Sequence, residues 1–217
     1  MSKLHRLTRR FFNRSPEIVA EALLGKSILR TTADGIVGGM IVETEAYLAK
    51  NDPVSHSHRG VRPRNRSMFA APGTLYVYSI HAKYCMNAAT EGEGIGSAVL
   101  IRALEPLWGI PLMERSRGTD QLRFLCRGPA RLCQALQITT TDDGLDLCAS
   151  DSIWFAHPQR PHSNHFVGRS MRIGVKEDNP LMLRFFLDGN PFVSGLRRDH
   201  SRRPATLRSS SEEEARL

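Results

Sequence analysis

No stretch of this 217-residue chain is both apolar and long enough to cross a bilayer. Its opening, Met1-Ser2-Lys3-Leu4-His5-Arg6, has no apolar core of the kind that directs secretion, so a cytosolic protein without membrane contact is expected. The four cysteines, Cys85, Cys126, Cys133 and Cys148, include no CxxC pair and no zinc-ligand spacing. Free thiols in a reducing compartment are expected, in place of a disulfide framework. There is no internal repeat and no glycine-rich phosphate loop, which leaves nucleoside-triphosphate chemistry without support.

Acids are in short supply. Against 30 Lys and Arg stand 22 Asp and Glu, a net charge of +8. The imbalance is concentrated: residues 1–14 carry five Lys or Arg and no acid, as do residues 59–83, and residues 115–131 carry five arginines against Asp120 alone. Clustering of this kind points to a polyanionic partner, most simply nucleic acid. Hydrophobic content of 41% and charged content of 24% are ordinary for one globular domain.

Local patterns suggest an order of elements. Ser15-Pro16-Glu17 reads as a helix start, with Ile18, Val19, Ala22 and Leu23 as its buried face and Gly25 as its end. Ser27–Thr31 and Gly35–Val42 read as a hairpin turning at Asp34-Gly35. Residues 48–73 form a long polar loop, a length that in a compact domain is usually functional. Strands are expected at Thr74–Ile80, Ser97–Leu104, Ile153–Phe155, Met171–Val175 and Met182–Leu187, and helices at Pro106–Arg117 and Pro129–Leu136. Pro158–Asn164 reads as a surface excursion. From Arg197 the chain is rich in Arg, Ser and Glu, so residues 197–217 are expected to be a disordered tail behind a 1–196 domain.

The apolar strand at Gly35–Val42 runs straight into Glu43-Thr44-Glu45-Ala46-Tyr47. Alternation puts Glu43, Glu45 and Tyr47 on one face. Two neighbouring carboxylates repel unless a cation or a shared proton lies between them. Arg102, inside the apolar S-A-V-L-I-R-A-L run, needs a buried acidic partner, and Glu45 or Glu43 is the natural one. With Tyr78 and a basic loop holding His56, the set suits a nucleobase pocket. Plainer readings exist for each residue. His56 fits a surface histidine, Tyr76 fits core packing, Glu43 fits a structural partner, and His157, His162 and His165 fit solvent-facing positions.

The runs E-T-E-A-Y (43–47), D-P-V-S-H (52–56), R-P-R-N-R-S-M-F (62–69), P-G-T-L-Y-V-Y (72–78), C-M-N (85–87), V-L-I-R-A-L-E-P (99–106) and G-P-A-R-L-C-Q-A-L (128–136) together resemble the alkyladenine-type 3-methyladenine DNA glycosylases. The similarity spans roughly residues 10 to 194. It implies an α+β fold, a single mixed domain around a curved antiparallel sheet with surrounding helices. It further implies a monomeric, monofunctional glycosylase that excises alkylated or deaminated purines from double-stranded DNA, with no metal and no organic cofactor. By position, Glu45 is implied as the residue that activates water and Arg102 as its support. Tyr47, His56 and Tyr78 are implied as walls of the base pocket, and Asn87 as the side chain that crowds the amino group of normal guanine. Met68 matches a position that presses on the duplex. Most of that family has a tyrosine wedge three residues after the Tyr78 position; here His81 stands there, with Ile80 and Tyr84 as alternatives. Arg62, Arg64, Arg66, Lys83 and Arg131 are the expected phosphate contacts, with Arg127 a weaker one. A binding protein without catalysis and a metal-dependent nucleoside hydrolase remain the competing functions.

Overall fold

The computed structural model describes residues 4–158, 166–175 and 181–201. After the short helix α1 (Arg9–Phe12), Ser15 and Pro16 start α2 (Pro16–Leu23), which buries Val19, Ala20 and Leu23. Ile18, expected on that face, is 53% exposed, because a helix of eight residues pressed on a sheet buries only a narrow stripe.

Strand β1 (Ser27–Thr32) turns into β2 (Gly35–Tyr47), the 13-residue spine of the molecule. Eight strands form one curled antiparallel sheet in the order β3-β4-β5-β2-β1-β6. These are β3 (Leu75–Ile80), β4 (Lys83–Ala89), β5 (Ala98–Trp108) and β6 (Ile153–Ala156), with β7 (Val167–Ser170) paired to β8 (Arg184–Leu187). Strand β2 pairs along one edge with β5 and along the other first with β1, then at Glu43–Glu45 with β8. Where β2 crosses β5, a Cβ on Gly39 would stand 2.3 Å from the Glu105 carbonyl oxygen, so only glycine permits that approach.

Strand β5 continues past Pro106, which was expected to open a helix. Pro106 pairs instead with Gly39, and β4 covers the other edge of β5 only at Ala98–Leu100, so the missing N–H is tolerated there. Gly109, at φ 66, makes the turn, and the helix α3 is Ile110–Arg117. It is followed by α4 (Leu122–Leu125) and α5 (Pro129–Ala135). The hairpin from β3 to β4 closes through His81-Ala82, both at positive φ (47 and 58), the pattern of a two-residue turn.

Three further expectations change. The long loop contains a 3-10 segment, Pro63–Phe69. Residues 171–175 are not a strand; the pairing lies one step earlier, in β7. The chain is also still ordered beyond 196: α6 (Arg197–His200) is held where the Arg184 guanidinium donates to the Asp199 carbonyl and the His200 ring lies 5.1 Å from Phe186. The rest of the expected tail, from 202, and most of the Pro158–Asn164 excursion lie outside the described residues, as do His162 and His165.

The main core lies between one face of the sheet and helices α2 and α5, with Val19, Leu23, Ile41, Leu104, Leu132 and Phe155 at its centre. All four cysteines are free thiols; burial pushes Cys126 up to about 12, so it stays protonated and inert. Among the described residues no helix is long and apolar enough to cross a membrane.

Candidate active site

Two register shifts in the β2–β5 ladder create the site. Ile41 pairs with Leu104, Glu43 with Ala103 and Thr44 with Ile101, which leaves Val42 and Arg102 as extra residues on their strands. Bulges of this kind redirect side chains. The Arg102 guanidinium reaches both acids: Nε donates to Glu43 Oε1 at 3.1 Å and an η nitrogen to Glu45 Oε2 at 3.2 Å. Neither carboxylate has any exposed surface.

Glu43 accepts two further bonds, from Arg184 Nε at 2.7 Å and the Ser194 amide at 2.7 Å. Burial alone would raise its carboxyl, but Arg102, Arg184 and these hydrogen bonds hold it below the usual carboxylate range. Arg102 moves up for the reciprocal reason: burial works against its charge, and Glu45 and Glu43 outweigh that. Glu45 Oε1 accepts from the Ile173 amide at 2.8 Å, and the Tyr47 hydroxyl donates to Oε2 at 3.1 Å. A second buried pair lies behind Tyr47, where Arg172 grips Asp52 through two bonds of 2.6 and 2.7 Å. Three guanidiniums thus face three carboxylates in one dry region, and the charges balance.

In front of the carboxylates is a small pocket of about 70 Å³ lined by Tyr47, Val54, His56, Met68, Tyr76, Tyr78 and Asn87. Tyr76 and Tyr78 share a face of β3, and Asn87 stands opposite Tyr76 on β4, where its amide donates to the Tyr76 carbonyl at 3.0 Å. His56 stands edge-on to Tyr78, with ring centroids 4.6 Å apart, and its Nδ1 lies 2.8 Å from the Tyr76 hydroxyl. Burial and the nearby Arg64 lower the His56 pKa, favouring a neutral ring. Burial raises the Tyr47 hydroxyl far above its ordinary value and, with Cys85 beside it, that of Tyr78 as well, so both remain donors. The pocket is an aromatic slot with polar edges and a paired carboxylate behind one wall.

The methylpurine-DNA glycosylase family model matches residues 10–191. The chain is 52% identical over 203 residues to a Rhodopirellula baltica protein provisionally named a 3-methyladenine DNA glycosylase, covering 90% of this chain and 86% of the relative. It is 48% identical over 181 residues to a Mesorhizobium japonicum protein of the same provisional name, covering 82% and 85%. It is 42% identical over 205 residues to the DNA-3-methyladenine glycosylase of Mus musculus, covering 87% of this chain and 61% of that one. The chain belongs to the methylpurine-DNA glycosylase family.

In this family member, Glu45, Arg102, Tyr47, His56, Tyr78 and Asn87 are brought together as one cluster. Met68, expected against a duplex, is 2% exposed and packs with Tyr76 and Ala98 in the pocket wall. His81 is exposed at the hairpin tip and Ile80 beside it is 49% exposed, whereas Tyr84 turns toward the main core. Arg64 and Arg66 are exposed on the 3-10 segment, and Arg62 is exposed just before it. That loop is stapled by buried Asn65, which donates to the His56 and Gly60 carbonyls and accepts from the Arg62 amide. Behind the hairpin, Lys83, Arg117, Arg127 and Arg131 line a groove of about 720 Å³ with no acidic side chain. Among the described residues no group of His, Cys, Asp or Glu is arranged to hold a metal ion.

The sequence reading missed Tyr76 as a pocket wall and missed Asp52, Arg172 and Arg184 altogether. Arg184 carried the same signal as Arg102, an arginine inside an apolar strand (M-L-R-F-F-L).

Proposed function

We propose that the protein is a monofunctional DNA glycosylase that hydrolyses the bond between a damaged purine and its deoxyribose. The observation that carries this is the buried Glu45 carboxylate, held by Arg102 and opening through Tyr47 onto an aromatic pocket. The names of the related proteins support the same chemistry.

In this reading the damaged nucleotide turns out of the duplex and its base enters the slot between Tyr47, His56 and Tyr78. Damaged pairs open at lower cost, which contributes selectivity before any bond breaks. Tyr47 then releases Glu45 Oε2, which takes a proton from the attacking water; general bases of this kind typically contribute about 10²–10⁴-fold. The same carboxylate stabilises the positive charge that builds on the sugar. Arg102 fixes the direction of the Glu45 side chain. Purines methylated at N3 or N7 already carry charge, leave readily and are attracted by the tyrosine faces. Asn87, which lines the pocket, crowds the amino group of normal guanine in this reading. No lysine lines the pocket, so the water route is favoured over an amine-linked intermediate.

Arg62, Arg64 and Arg66 meet phosphates on one side of the pocket, with Lys83 and Arg131 doing so across the groove. His81, with Ile80 beside it, is the wedge that fills the gap left by the turned-out base. The test is a set of duplexes each carrying 3-methyladenine, 7-methylguanine, hypoxanthine or ethenoadenine. Release of free base, with strand breakage only after hot alkali and no loss of rate under chelation, is the expected result. Tight binding of every lesion with no base released would overturn the proposal.

A further inference from the structure

Asp52 and Arg172 form a buried ion pair of the site, with both side chains fully inaccessible, as are those of Glu43 and Arg184. A buried pair of this sort contributes little stability compared with apolar side chains of the same size, so its value lies in direction. Among the described residues its bonds reach several parts of the site. Strand β8 leaves the β2 edge after Glu45, and the Arg172 guanidinium takes over there by donating to the Ala46 carbonyl at 2.9 Å. Ala46 lies between Glu45 and Tyr47. The same guanidinium sits 4.5 Å from the centre of the Tyr47 ring. The residue that follows it, Ile173, supplies the amide bonded to Glu45 Oε1. Asp52, for its part, accepts from the Leu48 amide at 3.0 Å, and its carbonyl accepts from the Ser55 amide, which shapes the loop carrying His56.

Resting on the glycosylase reading, we propose that Asp52 and Arg172 are a positioning pair for the reaction. They tie the Tyr47 wall, the His56 loop and the Glu45 carboxylate into one rigid arrangement, and neither touches the substrate.

The double variant Asp52→Leu/Arg172→Met replaces the pair with apolar side chains, and Arg172→Lys keeps the charge without the two-pronged grip. Single-turnover base release from a hypoxanthine-containing duplex, at saturating protein, is expected to fall at least about tenfold in the double variant. Affinity for undamaged duplex should stay within about twofold, since the phosphate-facing arginines are untouched. Arg172→Lys should recover only part of the rate. A double variant that unfolds cooperatively and releases base at the wild-type rate overturns the proposal; if the double variant does not fold, a wild-type rate in Arg172→Lys does so. A crystal structure of the folded variant reads the claim without turnover: a displaced Tyr47 ring and an Ile173 amide off Glu45 support it, and both in place refute it. Wild-type protein that releases no base would sink the glycosylase reading and leave that crystal structure to decide the positioning claim.

Discussion

Replacing Glu43 with glutamine changes one charge and almost no volume, so its effect isolates the electrostatics of the buried network. Glu43 has no exposed surface and accepts three bonds, from Arg102 Nε, Arg184 Nε and the Ser194 amide. Glutamine can still accept on one oxygen, but its NH₂ group then confronts the Ser194 N–H, donor against donor. Among the described residues Arg184 would then have neutral acceptors alone, including Ser170 Oγ and the Ser194 and Asp199 carbonyls. Breaking a buried pair from one side costs about 3–5 kcal/mol. For a chain of this length that is roughly 6–20 °C in Tm. Urea unfolding should show a lower midpoint with an unchanged slope. The pH dependence gives an independent reading. The folded Glu43 carboxyl is held below the unfolded value of about 4.3, so its stabilisation is present above that pH and is lost as pH falls through the lower folded value. The gap between wild type and variant should therefore narrow below about pH 4. A gap under about 1 kcal/mol at pH 7, or one that is the same at pH 7 and pH 3, would refute this account of the network.

Asn87→Ala removes the side chain that narrows the pocket opposite Tyr76. The preference for hypoxanthine over undamaged guanine, measured as a ratio of release rates, should fall by at least about tenfold. Arg64→Ala should weaken binding of damaged and undamaged duplexes alike and reduce the salt slope of log affinity by about one; a loss confined to damaged DNA would place Arg64 in the pocket instead. Gly39→Ala puts a Cβ 2.3 Å from the Glu105 carbonyl, and the strand shift needed should cost about 1–3 kcal/mol in chemical unfolding. A neutral result there would show that β2 and β5 slide freely past each other.

The parts of the site that could be read in advance were those set by local pattern. Alternation along one strand is enough to place Glu43, Glu45 and Tyr47 on one face, and a lone arginine in an apolar run demands an acid. The bulge that aims Arg102 at both carboxylates was not readable, because it is a property of the register between two strands. Asp52 and Arg172 are 120 residues apart, and Glu43 and Arg184 are separated by 141, so no window of sequence contains either pair. Pro106 misled for a related reason. Locally it resembles a helix start, yet its neighbour across the sheet is Gly39, and tertiary pairing prevails over a local preference. The segment after Arg197 is polar enough to read as a tail, but the Asp199 carbonyl accepts from a buried guanidinium, which helps to repay the ordering of one helical turn.

The most direct test of the chemistry is Glu45→Gln, which keeps the size of the side chain and its bond from Arg102 but removes the base. Single-turnover release of a lesion base, measured at saturating protein alongside equilibrium binding to the same duplex, separates catalysis from recognition. The account predicts damaged-duplex binding within a few-fold of wild type and a rate reduced by about 10²-fold or more. Base release by Glu45→Gln at the wild-type rate would show that another group activates the water.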